Sequence, residues 1–117
     1  MLDFTNNTEV FLAVGATDLR KSFEGLTTIV STKFNLDPYS RSMYVFCNRN
    51  RSRLKILQWD GSGFWLYIKR LDNGTFHWPN NEDDVKQVTI KELRWILDGL
   101  SILPKGAFKE YKPTIIL

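Results

Sequence analysis

Three runs near the middle of the chain, MYVFCN from Met43, RLKILQW from Arg53 and FWLYIKRL from Phe64, are apolar on both alternating parities. A half-exposed strand alternates apolar and polar residues, because successive side chains point to opposite faces. These runs do not. One parity collects Val45, Cys47, Leu54, Ile56, Trp65 and Tyr67, and the other Tyr44, Phe46, Leu57, Trp59, Phe64, Leu66 and Ile68. A sheet built from them must be covered on both sides or curled into a partial barrel. Most of the rings then belong to a core and not to a platform on which bases stack.

The runs are separated by RNRS, DGSG and DNG, all turn-forming sequences, and TFHW (Thr75 to Trp78) reads as a further strand with Phe76 and Trp78 on the first parity. Upstream, EVFLAV (Glu9 to Val14) reads as a short strand closed by Gly15. Thr17 is placed to cap a helix whose apolar residues Phe23, Leu26, Val30 and Phe34 recur every three or four positions, with Asp18 in its first turn and Asp37-Pro38 at its end. A second helix opens on the capping box Thr89 and Glu92, carries the stripe Leu93, Ile96, Leu97 and Leu100, and stops near Gly99. The expected fold is α+β: an antiparallel β-meander of about five strands, strongly curved or partly barrel-like, packed with two helices. At 117 residues the chain suits one domain, taken as residues 1–103. Residues 104–117, with two prolines and no clear period, are left as a tail, docked or loose.

Strand parity also sets which charges meet. If DGSG closes a four-residue loop, Trp59 faces Phe64, Leu57 faces Leu66 and Arg53 faces Arg70; if Asp60-Gly61 is a two-residue turn, Arg51 faces Arg70. Either register opposes two arginines. Like charges across a sheet destabilise it by a few tenths to about 1 kcal/mol unless an anion or carboxylate sits between them. The alternative is that both guanidiniums splay into water at the open end of the hairpin. Arg49, Arg51 and Arg53 in the RNRSR turn, Lys69-Arg70, and Arg20-Lys21 are the candidates for phosphate contacts. Asn48 and Asn50 read as turn formers.

Charge alone decides little, since 16 Lys and Arg against 13 Asp and Glu give only +3. The single cysteine, Cys47, lies in an apolar run, which favours a buried thiol and a reducing compartment. The start, MLDFTNNTEV, has acids and amides where an export signal needs positive charge, and no apolar run approaches the roughly 18 residues of a membrane helix. The expectation is a cytoplasmic protein with no membrane partner.

Catalytic patterns are sparse. His77 is the only histidine and has no Ser or Cys partner at an evident spacing, so it reads as structural. Glu82 to Asp84 could hold a divalent metal, but consecutive carboxylates diverge, so a solvated acidic loop is preferred. No HExxH, CxxC or phosphate-cradling glycine loop is present. A protein that is not an enzyme is expected, with no cofactor, no metal and no small-molecule substrate.

Several motifs carry a resemblance. GATDLRKSFEGL from Gly15, DPYS from Asp37, the stretch from Val45 to Pro79 with KILQWDGSGFWLYIKRL and FHWP, and LRWILDGL from Leu93 resemble the small accessory protein of the insertion sequence 66 family of bacterial mobile elements. This is the TnpB-like product of the second reading frame, unrelated to the RNA-guided nuclease that shares the letters. The resemblance covers most of residues 9 to 100. Two departures stand out: Ser22 replaces a glycine common after RK, and Arg41 stands where a glycine often follows DPxS. Thr17, Asp18, Arg20, Lys21, Arg53, Lys55, Trp59, Asp60, Gly61, Lys69 and Arg70 match hallmark positions, and Lys55 thereby joins the basic candidates.

The resemblance implies a role in transposition beside a separate, larger transposase that carries the strand-cutting chemistry. The preferred expectation is an accessory protein that binds the element's DNA through Arg20, Lys21, Arg49, Arg51, Arg53, Lys55, Lys69 and Arg70. The alternative is an assembly module that binds the transposase or the element's other accessory protein without touching DNA.

Overall fold

The computed structural model describes residues 7–100 together with Thr5 and Ile102. Five strands form one open sheet: β1 (Val10–Ala13), β2 (Met43–Cys47), β3 (Arg53–Trp59), β4 (Phe64–Arg70) and β5 (Val85–Val88), in the order β4-β3-β2-β1-β5. The β2, β3 and β4 strands make the expected antiparallel meander. β1, however, runs parallel to β2, with Val10 beside Met43 and Leu12 beside Val45, and β5 pairs antiparallel on its far side. The sheet is therefore mixed and not a pure meander. Nor is it curled into a barrel, because β4 and β5 remain as two separate edges.

Both faces are covered, which answers the apolar pattern. On one face Val10, Leu12, Val45, Cys47, Leu54 and Ile56 pack with Phe76, Trp78 and the helix residues Ile90, Leu93 and Ile96. On the other, Ala13, Tyr44, Phe46 and Leu57 pack with Leu19, Leu26 and Val30. The parity split read from the sequence is the split observed, and Tyr44 and Phe46 are almost entirely buried.

TFHW is not a strand. Phe76 and Trp78 are buried as expected, but the segment crosses the end of the sheet and is fixed by isolated bonds: Phe76 N–H to the Arg51 carbonyl at 2.6 Å and the Trp78 indole N–H to the Ala13 carbonyl at 3.0 Å. The fifth strand is instead VKQV, whose exposed Lys86 and Gln87 suit an edge that needs only one apolar side.

The first helix is shorter than its periodicity suggests. α1 covers Phe23–Thr28 and continues as one π-helical turn, Ile29–Lys33. Thr17 does not cap it. Its N–H donates to the Cys47 carbonyl at 2.8 Å, which ties the loop to the end of β2. Asp18 accepts from the Arg20 N–H, making a local turn, and Ser22 precedes the helix without a capping side-chain bond. The wide turn falls in TTIVSTK, where the hydroxyls of Thr27, Thr28, Ser31 and Thr32 donate to carbonyls three or four residues back and compete with the regular ladder. The chain leaves it through Asn35 at φ 54, just before Asp37-Pro38.

α2 (Ile90–Leu97) opens on its expected capping box, the Thr89 hydroxyl accepting from Glu92 N–H at 3.1 Å and the Glu92 carboxylate from Thr89 N–H at 2.9 Å, but of the expected stripe Leu100 lies past the helix and is exposed. Gly99 follows at φ 85. Arg41, the departure from the resembling family, adopts φ 69, a conformation that favours glycine and explains why glycine suits that position. The expectation for the tail, residues 104–117, lies outside the described residues.

Candidate functional site

The basic turn is built by Asn48. Its side-chain carbonyl accepts from the Ser52 and Arg53 N–H groups at 3.0 and 3.2 Å, and its backbone carbonyl accepts from Arg51 N–H at 3.1 Å. Arg51 sits at φ 56. Leu71 N–H donates to the Ser52 carbonyl at 2.8 Å and closes the open end of the β3–β4 hairpin. The turn is thus held by the Asn48 side chain together with backbone bonds, which leaves Arg49, Arg51 and Arg53 exposed.

The register is the four-residue-loop alternative: Trp59 faces Phe64, Leu57 faces Leu66 and Arg53 faces Arg70. Since β1 runs parallel to β2, both strands deliver their C-terminal ends to this same edge. Gly15 to Asp18 leave β1 there, beside Asn48 and Arg49. Two grooves flank the turn. One, of about 510 Å³, is bordered by Thr17, Asp18, Arg20, Arg49, Asn50 and Arg53; the other, of about 580 Å³, by Gly15, Arg49, Arg51, Trp78, Pro79 and Asn80. Arg49 and Asn48 line both.

The eight basic candidates divide. Arg49, Arg51, Arg53 and Arg70 share this end of the sheet, and none has a carboxylate within 4.0 Å among the described residues. Arg20 borders the first groove but is neutralised, its Nε and Nη2 donating to the two oxygens of Asp18 at 3.0 and 2.8 Å. That fork holds the Asp18 carboxyl well below the usual carboxylate range and raises the Arg20 pKa. Lys21 faces a smaller hollow of about 170 Å³ shared with Lys33 and Asp84, which approach to 3.9 Å.

Two lysines have structural partners. Lys55 Nζ donates to the Leu19 carbonyl at 2.5 Å and to that of Lys21 at 3.3 Å, pinning the loop before α1 to β3. Lys69 Nζ donates to the Leu97 carbonyl at 2.7 Å, at the C-terminal end of α2 where the helix dipole favours a cation. Sequence spacing could place these amines near the basic edge, but not reveal carbonyls 28 and 36 residues away in the chain.

Thr17 stands among the resembling family's hallmark positions, whereas the groove walls Gly15, Trp78, Pro79 and Asn80 are not singled out in the sequence as site residues. They arrive there because Gly15 N–H donates to the Pro79 carbonyl at 3.0 Å and joins two distant segments. His77 is exposed. Among the described residues no three His, Cys, Asp or Glu side chains converge to hold a metal ion. Cys47, fully buried beneath the turn, has its thiol pushed up to about 11 by burial, partly offset by the nearby charge of Arg51. Among the described residues no helix is long and apolar enough to cross a membrane.

The sheet's other end is aromatic. The DGSG loop is organised by Asp60, whose carboxylate accepts from Ser62 and Gly63 N–H, the Ser62 hydroxyl and the Trp65 indole at 2.8 to 3.0 Å. Those bonds, the Ser62 and Gly63 amides foremost, lower its pKa to about 2. Beside it Tyr39, Trp59 and Phe64 form a triangle with ring centroids 5.0 to 5.3 Å apart, and Phe23 packs on Phe64 at 5.9 Å. Tyr39 is 56% exposed and Phe23 46%.

Comparison with known proteins places this arrangement in a family. Two proteins of Sinorhizobium fredii (strain NBRC 101917 / NGR234) are similar to the chain. The uncharacterized protein y4hO is 36% identical over 100 residues, covering 86% of this chain and 87% of the relative. The uncharacterized protein y4jC is 29% identical over 100 residues, covering 86% of each. No solved structure matches significantly. The model of the IS66 Orf2-like proteins matches residues 8–106, and the chain belongs to that family.

Proposed function

We propose that this protein is a non-catalytic accessory factor for transposition of an insertion sequence, and that it binds the phosphates of the element's DNA through the basic end of its sheet. Membership of the IS66 Orf2-like family supports the transposition-associated role. One observation carries the DNA reading: Arg49, Arg51, Arg53 and Arg70 converge on one sheet end with no carboxylate partner among the described residues, and Arg53 stands opposite Arg70. Guanidiniums held that close repel one another, and a polyanion relieves the repulsion while the rigid turn fixes their spacing. Arg20, Lys55 and Lys69 contribute little to binding, because each already serves a partner of its own.

The test is a titration of labelled duplex from the element's ends at several salt concentrations. Each phosphate contact contributes about 0.9 to the slope of log K against log salt, so roughly three to four contacts give a slope near −3. Reversing Arg49, Arg51 and Arg53 to Glu should flatten that slope. No salt dependence, or an unchanged slope in the folded triple variant, removes the reading.

The exposed ring cluster at the opposite end favours a second reading, an assembly surface for the element's transposase or its other accessory protein. Exposed Tyr39 and Phe23 are of a type enriched at protein interfaces. Copurification with tagged transposase after nuclease treatment separates the two, since a contact bridged by DNA is lost.

A further inference from the structure

Natural sheets blunt their edges with short strands, charges, prolines or bulges. β4 is an edge of seven residues, FWLYIKR, paired to β3 through seven consecutive positions with no bulge and no proline. Its charges sit only at the end, in Lys69 and Arg70. Its middle is apolar on both faces, with Ile68 60% exposed on one and Trp65 41% exposed on the other.

The direction of its free backbone groups follows from the two bonds that bracket the hairpin. Asp60 N–H donates to the Gly63 carbonyl and Leu71 N–H to the Ser52 carbonyl. Antiparallel pairs alternate between bonded and non-bonded, so Trp65, Tyr67 and Lys69 turn their backbone groups toward β3. Those of Phe64, Leu66, Ile68 and Arg70 point away from the sheet.

We infer that β4 is a self-association edge, pairing antiparallel with β4 of a second copy about a two-fold axis at Tyr67 to give one continuous ten-stranded sheet. The strand is complementary to itself in that register. Leu66 of each copy meets Ile68 of the other, Phe64 meets Arg70 and Trp65 meets the stem of Lys69, whose amine stays on the Leu97 carbonyl, so apolar residues pair at the centre and no like charges are opposed. Leu66 with Ile68 and Phe64 with Arg70 are the pairs whose backbone groups point outward, which allows up to about eight new ladder bonds. A shift by one residue would oppose inward-facing with outward-facing groups and lose the ladder. A closed two-fold contact of this kind stops at the dimer. It also sets the two Arg70 positions about 20 Å apart along the new ribbon, six residue steps of a strand.

Sedimentation velocity of the full chain across roughly 10 to 300 µM tests this, since mass action makes the dimer fraction rise with concentration. Ile68→Lys sets a charge against Leu66 of the second copy in the dimer. Ile68→Pro removes an outward N–H without breaking a bond to β3. The wild type should dimerise and both variants should sediment as monomers with unchanged far-ultraviolet circular dichroism. Hydrogen exchange should show amide protection at residues 66 and 68 that grows with concentration. A wild type that stays monomeric, or folded Ile68→Lys and Ile68→Pro proteins that still dimerise, overturns the proposal. So does protection of those amides in a monomer at all concentrations, which would assign the edge to residues 103–117 of the same chain.

Discussion

Arg53 on β3 and Arg70 on β4 face each other across the open end of the hairpin, and neither has a carboxylate within 4.0 Å among the described residues. Without an anion the pair is a cost, so Arg70→Glu should stabilise the free protein by roughly 0.2–1 kcal/mol. The gain should shrink in high salt. The same substitution should weaken DNA binding. Urea unfolding and a DNA titration on one protein sample check both signs, and a variant that loses stability contradicts the first.

Lys55 should behave differently from the arginines of the turn. Lys55→Met leaves the Leu19 carbonyl without its ammonium donor and should cost about 1–2 kcal/mol of stability. The salt slope of DNA binding should stay as in the wild type. A flattened slope in a Lys55→Met protein of undiminished stability would move this lysine into the interface.

Asp60 ties acid stability to the hairpin tip. Its folded pKa is about 2 against an ordinary 3.8, so the carboxylate's contribution is fully present above about pH 4 to 5 and is lost as the pH falls toward 2. Asp18, held low by Arg20, acts in the same direction. Carboxyl carbon shifts followed by NMR should place the Asp60 midpoint near 2. In Asp60→Asn, stability should decline less steeply between pH 5 and 2.

Cys47 should resist thiol reagents. Burial holds its pKa near 11, so the thiolate is scarce at neutral pH and reached only through opening of the fold. Native protein should react with Ellman's reagent far more slowly than protein in denaturant. Prompt stoichiometric reaction under native conditions would contradict a buried thiol.

The central hairpin was legible because its information is local. Side-chain parity alone places Leu57 and Phe46 on one face and Ile56 and Cys47 on the other, and DGSG narrows the β3–β4 register to two, of which the four-residue loop is the one observed. The capping box of α2 is equally local, since Thr89 and Glu92 satisfy each other's backbone groups within one turn. The basic turn was legible in the same way, as three exposed arginines around an asparagine-built corner.

The chain's sequence by itself determined a sheet apolar on both faces, an opposition of Arg70 to either Arg53 or Arg51, and the absence of any familiar catalytic pattern; the structure chose Arg53. Only tertiary structure decided that β1 inserts parallel beside β2 and that the plain VKQV segment, not the aromatic TFHW, completes the sheet. Tertiary structure alone decided, too, that Arg20, Lys55 and Lys69 are held by partners within the fold. The physical reason is the range of the forces. Side-chain parity and capping act over a few residues and can be read in order, whereas a strand's neighbour and a lysine's carbonyl are chosen among groups far apart in sequence, by which arrangement covers both apolar faces and leaves fewest polar groups unpaired.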